Sequence, residues 1–418
     1  MKIILSHPTG NANVRAVAEG MAKAGMLHRF YTAIAAFRGN LWYWLGGLHP
    51  LAEFRRRSFS ALLQAYTYQY PWFDLGRQVV IKLGLRSLVA HETGFFCIDK
   101  VYQSLDKQVA KALSNSNSNK PTAVYAYEDG ALTTFERAKQ LGITTLYDLP
   151  IGYWRAARTL LKAEQDSRPE WASTLTGFND SEQKLARKDS ELALADRIFV
   201  ASSFTARTLK EYSAKLAPVS IIPYGFPPVN EKNAYTFDGL RPLRILFVGG
   251  LSQRKGIANV FEAVAALKHK VTLTVIGQKS VPHCEALNEA LKLHNWLPSM
   301  PHKEVLQQMQ EHDLLVFPSL FEGFGLVITE AMSQGTPVIT TDRTAGPDLI
   351  QHGLNGWLVE AGNTNALLAQ IEELINNPNQ IEKAGRAAIE TAQKRPWSVY
   401  SEELCNELNK TMNEITLL

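Results

Sequence analysis

The 418-residue sequence is long enough for two domains of ordinary size, each with its own apolar core. Its 45% hydrophobic and 20% charged residues are those of a globular protein, which excludes disordered and fibrous classes. A formal net charge of +4 is too small for the dense basic stripe that nucleic acid requires, so no nucleic-acid partner is expected. Cys97, Cys284 and Cys405 stand too far apart for a C-x-x-C pair and read as reduced thiols, from which a cytoplasmic location is expected.

Residues 3–5 form a short apolar strand that Pro8 closes, too brief for the core of a signal peptide. Helical spacing follows over residues 14–26. The run L-W-Y-W-L-G-G-L from Leu41 is cut by Gly46, Gly47, His49 and Pro50, far short of the roughly 18 apolar residues a bilayer span needs. Residues 28–59 interleave Phe30, Tyr31, Phe37, Trp42, Tyr43, Trp44, Phe54 and Phe59 with Arg29, Arg38 and Arg55 to Arg57. Two readings stand: a peripheral contact with the anionic inner face of a plasma membrane, or core aromatics beneath a solvated basic face.

Residues 114–119 have the composition of a flexible connection. A strand at 123–127, a helix at 131–141 and a strand at 144–147 continue the rhythm of parallel βα units. A strand at 197–200, a serine N-cap at Ser202 and Ser203 and a helix at 204–212 come next, and residues 221–225 close a last strand. Pro227, Pro228, Asn230, Asn233, Asp238, Gly239 and Pro242 then crowd one stretch poor in apolar residues, the signature of an interdomain linker.

The rhythm restarts with strands at 245–248, 271–276, 314–317 and 337–340 and a helix from Gly256. Arg395, Pro396 and Trp397 break it, and a final amphipathic helix carries Leu404, Leu408 and Met412. The expected division is a first domain over 1–224, a linker over 225–242, a second domain over 243–395 and a closing helix over 396–418 that docks on the first domain.

The densest signal reads V-F-P-S-L-F-E-G-F-G-L-V-I-T-E from Val316 to Glu330: a strand, a turn with Gly323 and Gly325, and a helix start. Ligands in open α/β sheets bind at that edge, and the free N–H groups of Phe324, Gly325 and Leu326 suit a diphosphate. Glu322 precedes the helix and Glu330 lies one to two turns into it, so two carboxylates would flank one ligand. Taken singly, each is as readily a solvated surface acid. V-G-G-L-S-Q-R-K-G from Val248 adds Arg254 and Lys255, phosphate donors of complementary geometry, in the turn after the second domain's first strand. No D-x-D metal motif occurs and no G-x-G-x-x-G follows either opening strand, so neither a metal nor a dinucleotide cofactor is expected.

F-E-G-F-G-L-V-I-T-E-A-M-S-Q-G-T-P-V-I resembles the E-x7-E signature of retaining glycosyltransferases of family GT4. The likeness extends to V-G-G-L-S-Q-R-K-G, I-I-P-Y-G, S-S-F-T and H-G-L-N-G-W-L-V from His352. It implies the α/β GT-B fold: two Rossmann-like doubly wound domains facing a cleft, with a C-terminal helix returning to the N-terminal domain.

The resemblance also implies an activity: a retaining, metal-independent glycosyltransferase moving a sugar from a nucleotide-diphosphate sugar to a glycan, lipid-linked or small-molecule acceptor. By the same likeness Arg254 and Lys255 hold the donor diphosphate, opposite a wall made by the two glutamates, and the 324–327 backbone lies over the phosphates. Glu330 holds the ribose and Glu322 addresses the sugar. Many members carry an arginine directly after the glycine ending this strand, where Gly250 stands here, and a histidine facing the sugar, where Asp148 stands. Asp148 is either a catalytic carboxylate or a turn residue before Leu149 and Pro150.

On the first domain Gly10 is the residue expected to approach the diphosphate. Glu128 and Asp129 are acceptor-side candidates, with a helix N-cap as the other reading of Asp129. Trp154, Arg155 and Arg158 suit sugar stacking or a helix surface. Two alternatives share the architecture: a nucleotide-sugar 2-epimerase and a non-catalytic nucleotide-sugar-binding module.

Overall fold

A computed structural model describes residues 1–47, 51, 53–114, 120–230 and 235–416. Residues 115–119 of the polar connection, His49, Pro50 and Asn233 lie outside the described residues. Ile3, Ile4 and Leu5 in β1 (Ile3–Ser6) have both faces covered, the condition under which a strand sits inside a parallel sheet. It is joined by β2 (Leu27–Thr32), β3 (Thr67–Gln69), β4 (Ala123–Tyr127), β5 (Thr144–Leu149), β6 (Arg197–Val200) and β7 (Val219–Ile221) in the order 3-2-1-4-5-6-7. All of these pairings are parallel.

A second parallel sheet contains β8 (Leu243–Val248), β9 (Val271–Ile276), β10 (Asn295–Leu297), β11 (Leu314–Phe317), β12 (Val338–Thr341) and β13 (Trp357–Val359) in the order 10-9-8-11-12-13. In each sheet the strand order reverses beside the first strand, at β1/β4 and at β8/β11, and there the carboxyl ends open a crevice.

Four strands escaped the sequence pattern. In β2 the half-buried His28 and Arg29 interrupt the apolar run, and β3, β10 and β13 are three-residue edge strands too short to show a period. The last strand of the first sheet is Val219–Ile221, two residues ahead of the expected 221–225, because Pro223 has no N–H for the ladder.

The Ala12–Lys23 helix buries Val14, Val17, Ala18 and Met21, and Gly25 at φ +67° stops it. The Trp397–Thr416 helix lies across it so closely that a Cβ on Gly20 would stand 2.7 Å from Ser401 Cβ. The closing helix thus returns to the first sheet with Tyr400, Leu404 and Leu408 buried. The two crossings between the sheets run side by side: Phe226 N donates to Arg395 O at 2.8 Å, and a Cβ on Gly225 would meet Trp397 Cα at 2.5 Å.

A third connection was not expected. After β5 the Trp154–Ser167 helix and the 3-10 turn Pro169–Thr174 reach over to the second sheet before the chain returns through the Glu182–Leu194 helix. Trp171 is buried in the second core and stacks on Phe261 at 6.1 Å. Arg168 pairs with Glu164 at 3.0 Å and with Glu262, and Thr174 Oγ1 accepts from Gln253 N at 2.9 Å.

Five aromatics of the 28–59 segment, Phe30, Tyr31, Phe37, Phe54 and Phe59, are buried. Of the two readings of this segment the core reading holds for these five: Phe30, Phe37 and Phe59 fill the space beside β1 and β2, and Phe59 closes on Gly10. Among the described residues no helix is long and apolar enough to cross a membrane.

Candidate active site

The turn after β11 carries Glu322, Gly323 and Gly325 into the Leu326–Ser333 helix, which Gly325 begins at φ +87°. A Cβ at Gly323 would stand 1.9 Å from Pro150 O, so only glycine lets the two sheets approach here. The Gly323 carbonyl accepts from Ser202 Oγ at 2.5 Å and Thr205 Oγ1 at 2.9 Å. Ser202 caps its own helix, accepting from Thr205 N at 3.1 Å, as expected of the S-S-F-T segment. Phe321 lies edge-on to Phe204, and Phe324 packs on Tyr224 with ring centroids 4.8 Å apart. The turn is therefore gripped by side chains of the first sheet.

Across from it, Gln253–Lys255 forms a 3-10 turn after β8. Arg254 Nη1 donates to Phe321 O at 2.8 Å and lies 3.3 Å from Glu322 Oε2, and Lys255 Nζ contacts that same oxygen. Lys255 also stands 5.0 Å from the centre of the Phe317 ring. Glu322 is therefore not opposite the two cations, as the sequence suggested; all three converge on one side of the cleft. Loss of hydration lowers Arg254 to about 10, and the same cause together with the charge of Arg254 pushes Lys255 well below the ordinary lysine value. Two poorly hydrated cations share one carboxylate.

Lys255 and Glu322 border a cavity of about 340 Å³ whose walls also include Phe324, Gly325 and Leu326 from the second sheet. The first sheet contributes His7, Asn13, Tyr102, Tyr127 and Tyr224. His7 went unnoticed in the sequence, although its place directly after β1, at the carboxyl edge of the sheet, was the signal. Its Nδ1 accepts from Gly10 N at 3.1 Å and Thr9 N at 3.2 Å, which leaves the proton on Nε2. Burial lowers its pKa to about 3, so the ring is neutral. Tyr102 and Tyr127 stand edge-on to it, at 5.8 and 4.8 Å. Gly10 has a different cause from the one expected: at φ +62° a Cβ would lie 2.3 Å from the Phe59 ring, so an aromatic neighbour already demands glycine there.

Three other carboxylates sit away from the cavity walls. Asp148 is buried and accepts from Tyr125 Oη at 2.6 Å; burial raises it to about 7, against the hydrogen bonding of the tyrosines. Beneath the aromatic wall, it does not face the cleft as a catalytic carboxylate would. Glu128 pairs with Lys188 Nζ at 3.1 Å, and burial lifts it to about 6. Asp129, at φ +68°, is not the helix cap: Glu191 reaches over from the Glu182–Leu194 helix and accepts the N–H groups of Asp129, Ala131 and Leu132 at 2.8, 3.1 and 3.1 Å. Glu128 thus belongs to a buried ion pair, whereas Asp129 is half-buried and lines a separate cavity with Asp99, Lys184 and Arg187.

Glu330, in the second turn of its helix, holds His302 Nε2 at 2.9 Å through Oε1, and that bond raises the histidine's pKa. Gly250 has open space around it: a Cβ there would meet nothing within 4 Å, so no neighbour excludes a side chain. Trp154 and Arg158 line a second cavity of about 220 Å³, together with Arg254 and Phe321. One face of the Trp154 ring is covered by the Arg155 guanidinium, 4.2 Å from its centre. Among the described residues His91, Glu92 and Asp180 lie close enough to share a metal ion, but Lys184 Nζ already stands 3.2 Å from Asp180.

Residues 236–394, which carry the cations, the turn and both glutamates, match the model of glycosyl transferases group 1. Among relatives, the amylovoran biosynthesis glycosyltransferase AmsK of Erwinia amylovora is 31% identical over 36% of this chain and 41% of its own. A D-inositol 3-phosphate glycosyltransferase of Pseudarthrobacter chlorophenolicus is 29% identical over 47% and 51%. The chain spans about half the length of the curated relatives it matches. Sucrose-phosphate synthase of Thermosynechococcus elongatus superposes with a TM-score of 0.69 at 18% identity, covering 99% of this chain and 100% of its own. Anabaena HepE, solved with UDP and glucose, gives 0.63 at 14% identity over 98% and 100%. Both likenesses show the fold, the two-sheet architecture that the sequence pattern implied.

Proposed function

We propose that this chain, whose residues 236–394 match the model of glycosyl transferases group 1, is a retaining glycosyltransferase that uses a nucleotide-diphosphate sugar. The observation that carries the reading is the sharing of Glu322 by Arg254 and Lys255 beside a helix start. Two cations that have lost much of their water, with one carboxylate between them and free N–H groups of Leu326 and Val327 nearby, form a site for a multiply charged anion. Sugar-transferring relatives and a structural neighbour solved with UDP support a diphosphate in that place.

In the proposed reaction the bond from the anomeric carbon to the diphosphate oxygen breaks, and its electron pair goes to the phosphate. The acceptor oxygen bonds to the same face of the sugar and passes its proton to the departing phosphate. Arg254, Lys255 and the helix N-terminus meet the growing negative charge with fixed donors, which is why the reading needs no metal. Glu330 has Oε2 left for a ribose diol while His302 holds Oε1. Glu322, held by both cations, faces the transferred sugar, and His7 offers its Nε2–H from the opposite wall. The acceptor, a glycan, a lipid-linked sugar or a small molecule, enters from the first sheet. A cytoplasmic location accords with the three cysteines, all buried and free.

The test is acceptor-dependent release of nucleotide from a panel of nucleoside-diphosphate sugars, with the anomeric configuration of the product read by NMR. Nucleotide release with a retained linkage is expected. Binding without turnover, an epimerised sugar in place of a new glycoside, or an inverted product would overturn the proposal.

A further inference from the structure

Twelve of the sixteen large apolar side chains that stand exposed among the described residues lie between residues 41 and 98. Eight of the twelve follow the edge strand β3 of the first sheet, on the Trp72–Lys82 helix and the segment after it, up to Ile98. Trp72 is 77% exposed, and Ile81, Leu83 and Leu85 are 52, 66 and 48% exposed. Phe95 stacks on Phe73 at 5.7 Å, which ties the far end of the segment to the helix. Monomeric soluble surfaces rarely expose so much apolar area in one place.

The charge on this flank has one sign. Between Leu75 and His91 the sequence holds Arg77, Lys82 and Arg86 and no aspartate or glutamate. The acids at either end are engaged elsewhere: Asp74 is buried against Arg57, and Glu92 accepts from Ser181 N at 2.9 Å. In the exposed stretch I-K-L-G-L-R-S-L from Ile81, apolar residues alternate with cations, so the apolar side chains can enter an acyl boundary while Lys82 and Arg86 stay at headgroup level.

We propose that this flank docks on the surface of an anionic lipid bilayer, with Trp72, Leu83 and Leu85 inserted and Lys82 and Arg86 on the headgroups. It differs from the 28–59 segment in the property that decides the matter: there most of the aromatics are core, whereas here Trp72 and Phe95 face out. The inference is independent of the sugar-transfer reading, since it concerns no residue of the cleft.

Co-sedimentation of the full chain with vesicles tests it, comparing phosphatidylcholine alone with equal parts phosphatidylcholine and phosphatidylglycerol at low salt. Binding to the anionic vesicles only is expected. Each basic residue near such a surface contributes about a fivefold factor, so Lys82→Gln with Arg86→Gln should lower partitioning about 25-fold. Trp72→Ser with Leu83→Ser should abolish what remains. All four positions are exposed, and the melting temperature of each variant should match the parent. Failure of the parent chain to bind, or variants that bind as it does, would overturn the proposal. So would a lipid-free dimer that Leu83→Ser dissociates, which would assign the flank to a second copy of the chain.

Discussion

The two walls of the cleft handle polarity in opposite ways. The second sheet presents ions: Arg254, Lys255 and Glu322 within contact of one another, on short turns that follow β8 and β11 directly. The first sheet presents neutral rings, His7, Tyr102, Tyr127 and Tyr224, and keeps its own carboxylates behind them, with Asp148 under Tyr125 and Glu128 on Lys188. A low-dielectric wall facing an ionic one strengthens every charge between them. The contrast teaches a division of labour: one side supplies the field, the other removes the water that would weaken it.

That contrast can be broken most sharply on the ionic wall. Arg254→Ala or Lys255→Ala should each reduce turnover about a hundredfold to a thousandfold, the usual cost of one preorganised donor; steady-state kinetics of nucleotide release within threefold of the parent for both variants would show that the ions are only structural.

The next largest effect concerns the hidden carboxylate. Burial raises Asp148 to about 7 in the folded chain, above an unfolded value of about 4. Its contribution to stability is therefore complete below about pH 4 and is lost as pH rises through about 7. Asp148→Asn should flatten that stretch of the stability curve by about 2–4 kcal/mol. Urea denaturation across the range measures it, and a slope equal to the parent's would place Asp148 in the solvent-facing site after all.

Glu330→Ala should raise the donor KM about tenfold or more, with a smaller effect on kcat, since a hydrogen bond to a charged group is worth about 1.5–3 kcal/mol. An effect confined to kcat would move Glu330 from nucleotide holding to chemistry. The smallest effect is expected on the neutral wall. Burial holds Tyr102 up at about 12, so its hydroxyl stays a donor, and Tyr102→Phe should lower kcat/KM about two- to tenfold. A loss as large as that of Lys255→Ala would abolish the distinction between the walls.

The same division explains what could be read in the sequence. Arg254, Lys255 and Glu322 lie within a few residues of a strand end and Glu330 in the helix that follows, so strand, turn and helix signals placed them by local spacing. The first wall is assembled across long separations: Tyr102 comes from the Ile98–Ser114 helix, Tyr224 follows β7, and Asn13 Nδ2 donates to the Tyr224 hydroxyl at 3.2 Å. No spacing shows such a meeting. The Glu191 carboxylate that caps a helix some sixty residues earlier was hidden for the same reason. The Trp171 crossing was hidden because a buried tryptophan carries no mark of which core receives it. Gly10 was singled out as a close-approach residue, but its contact with Phe59 was hidden, since a positive φ and a tight contact look alike whether a ligand or Phe59 stands opposite.

The closing helix has a consequence for synthesis. The Ala12–Lys23 helix leaves the ribosome well before its cover, the Trp397–Thr416 helix, which begins some 370 residues further on. At about 5–20 residues per second the interval is roughly 20–80 s. Throughout it the face of Val14, Val17 and Met21 that ends beneath the last helix waits uncovered, while the second sheet, complete by Val359, is free to form. In the making of this chain, the first sheet begins before the second and is finished after it.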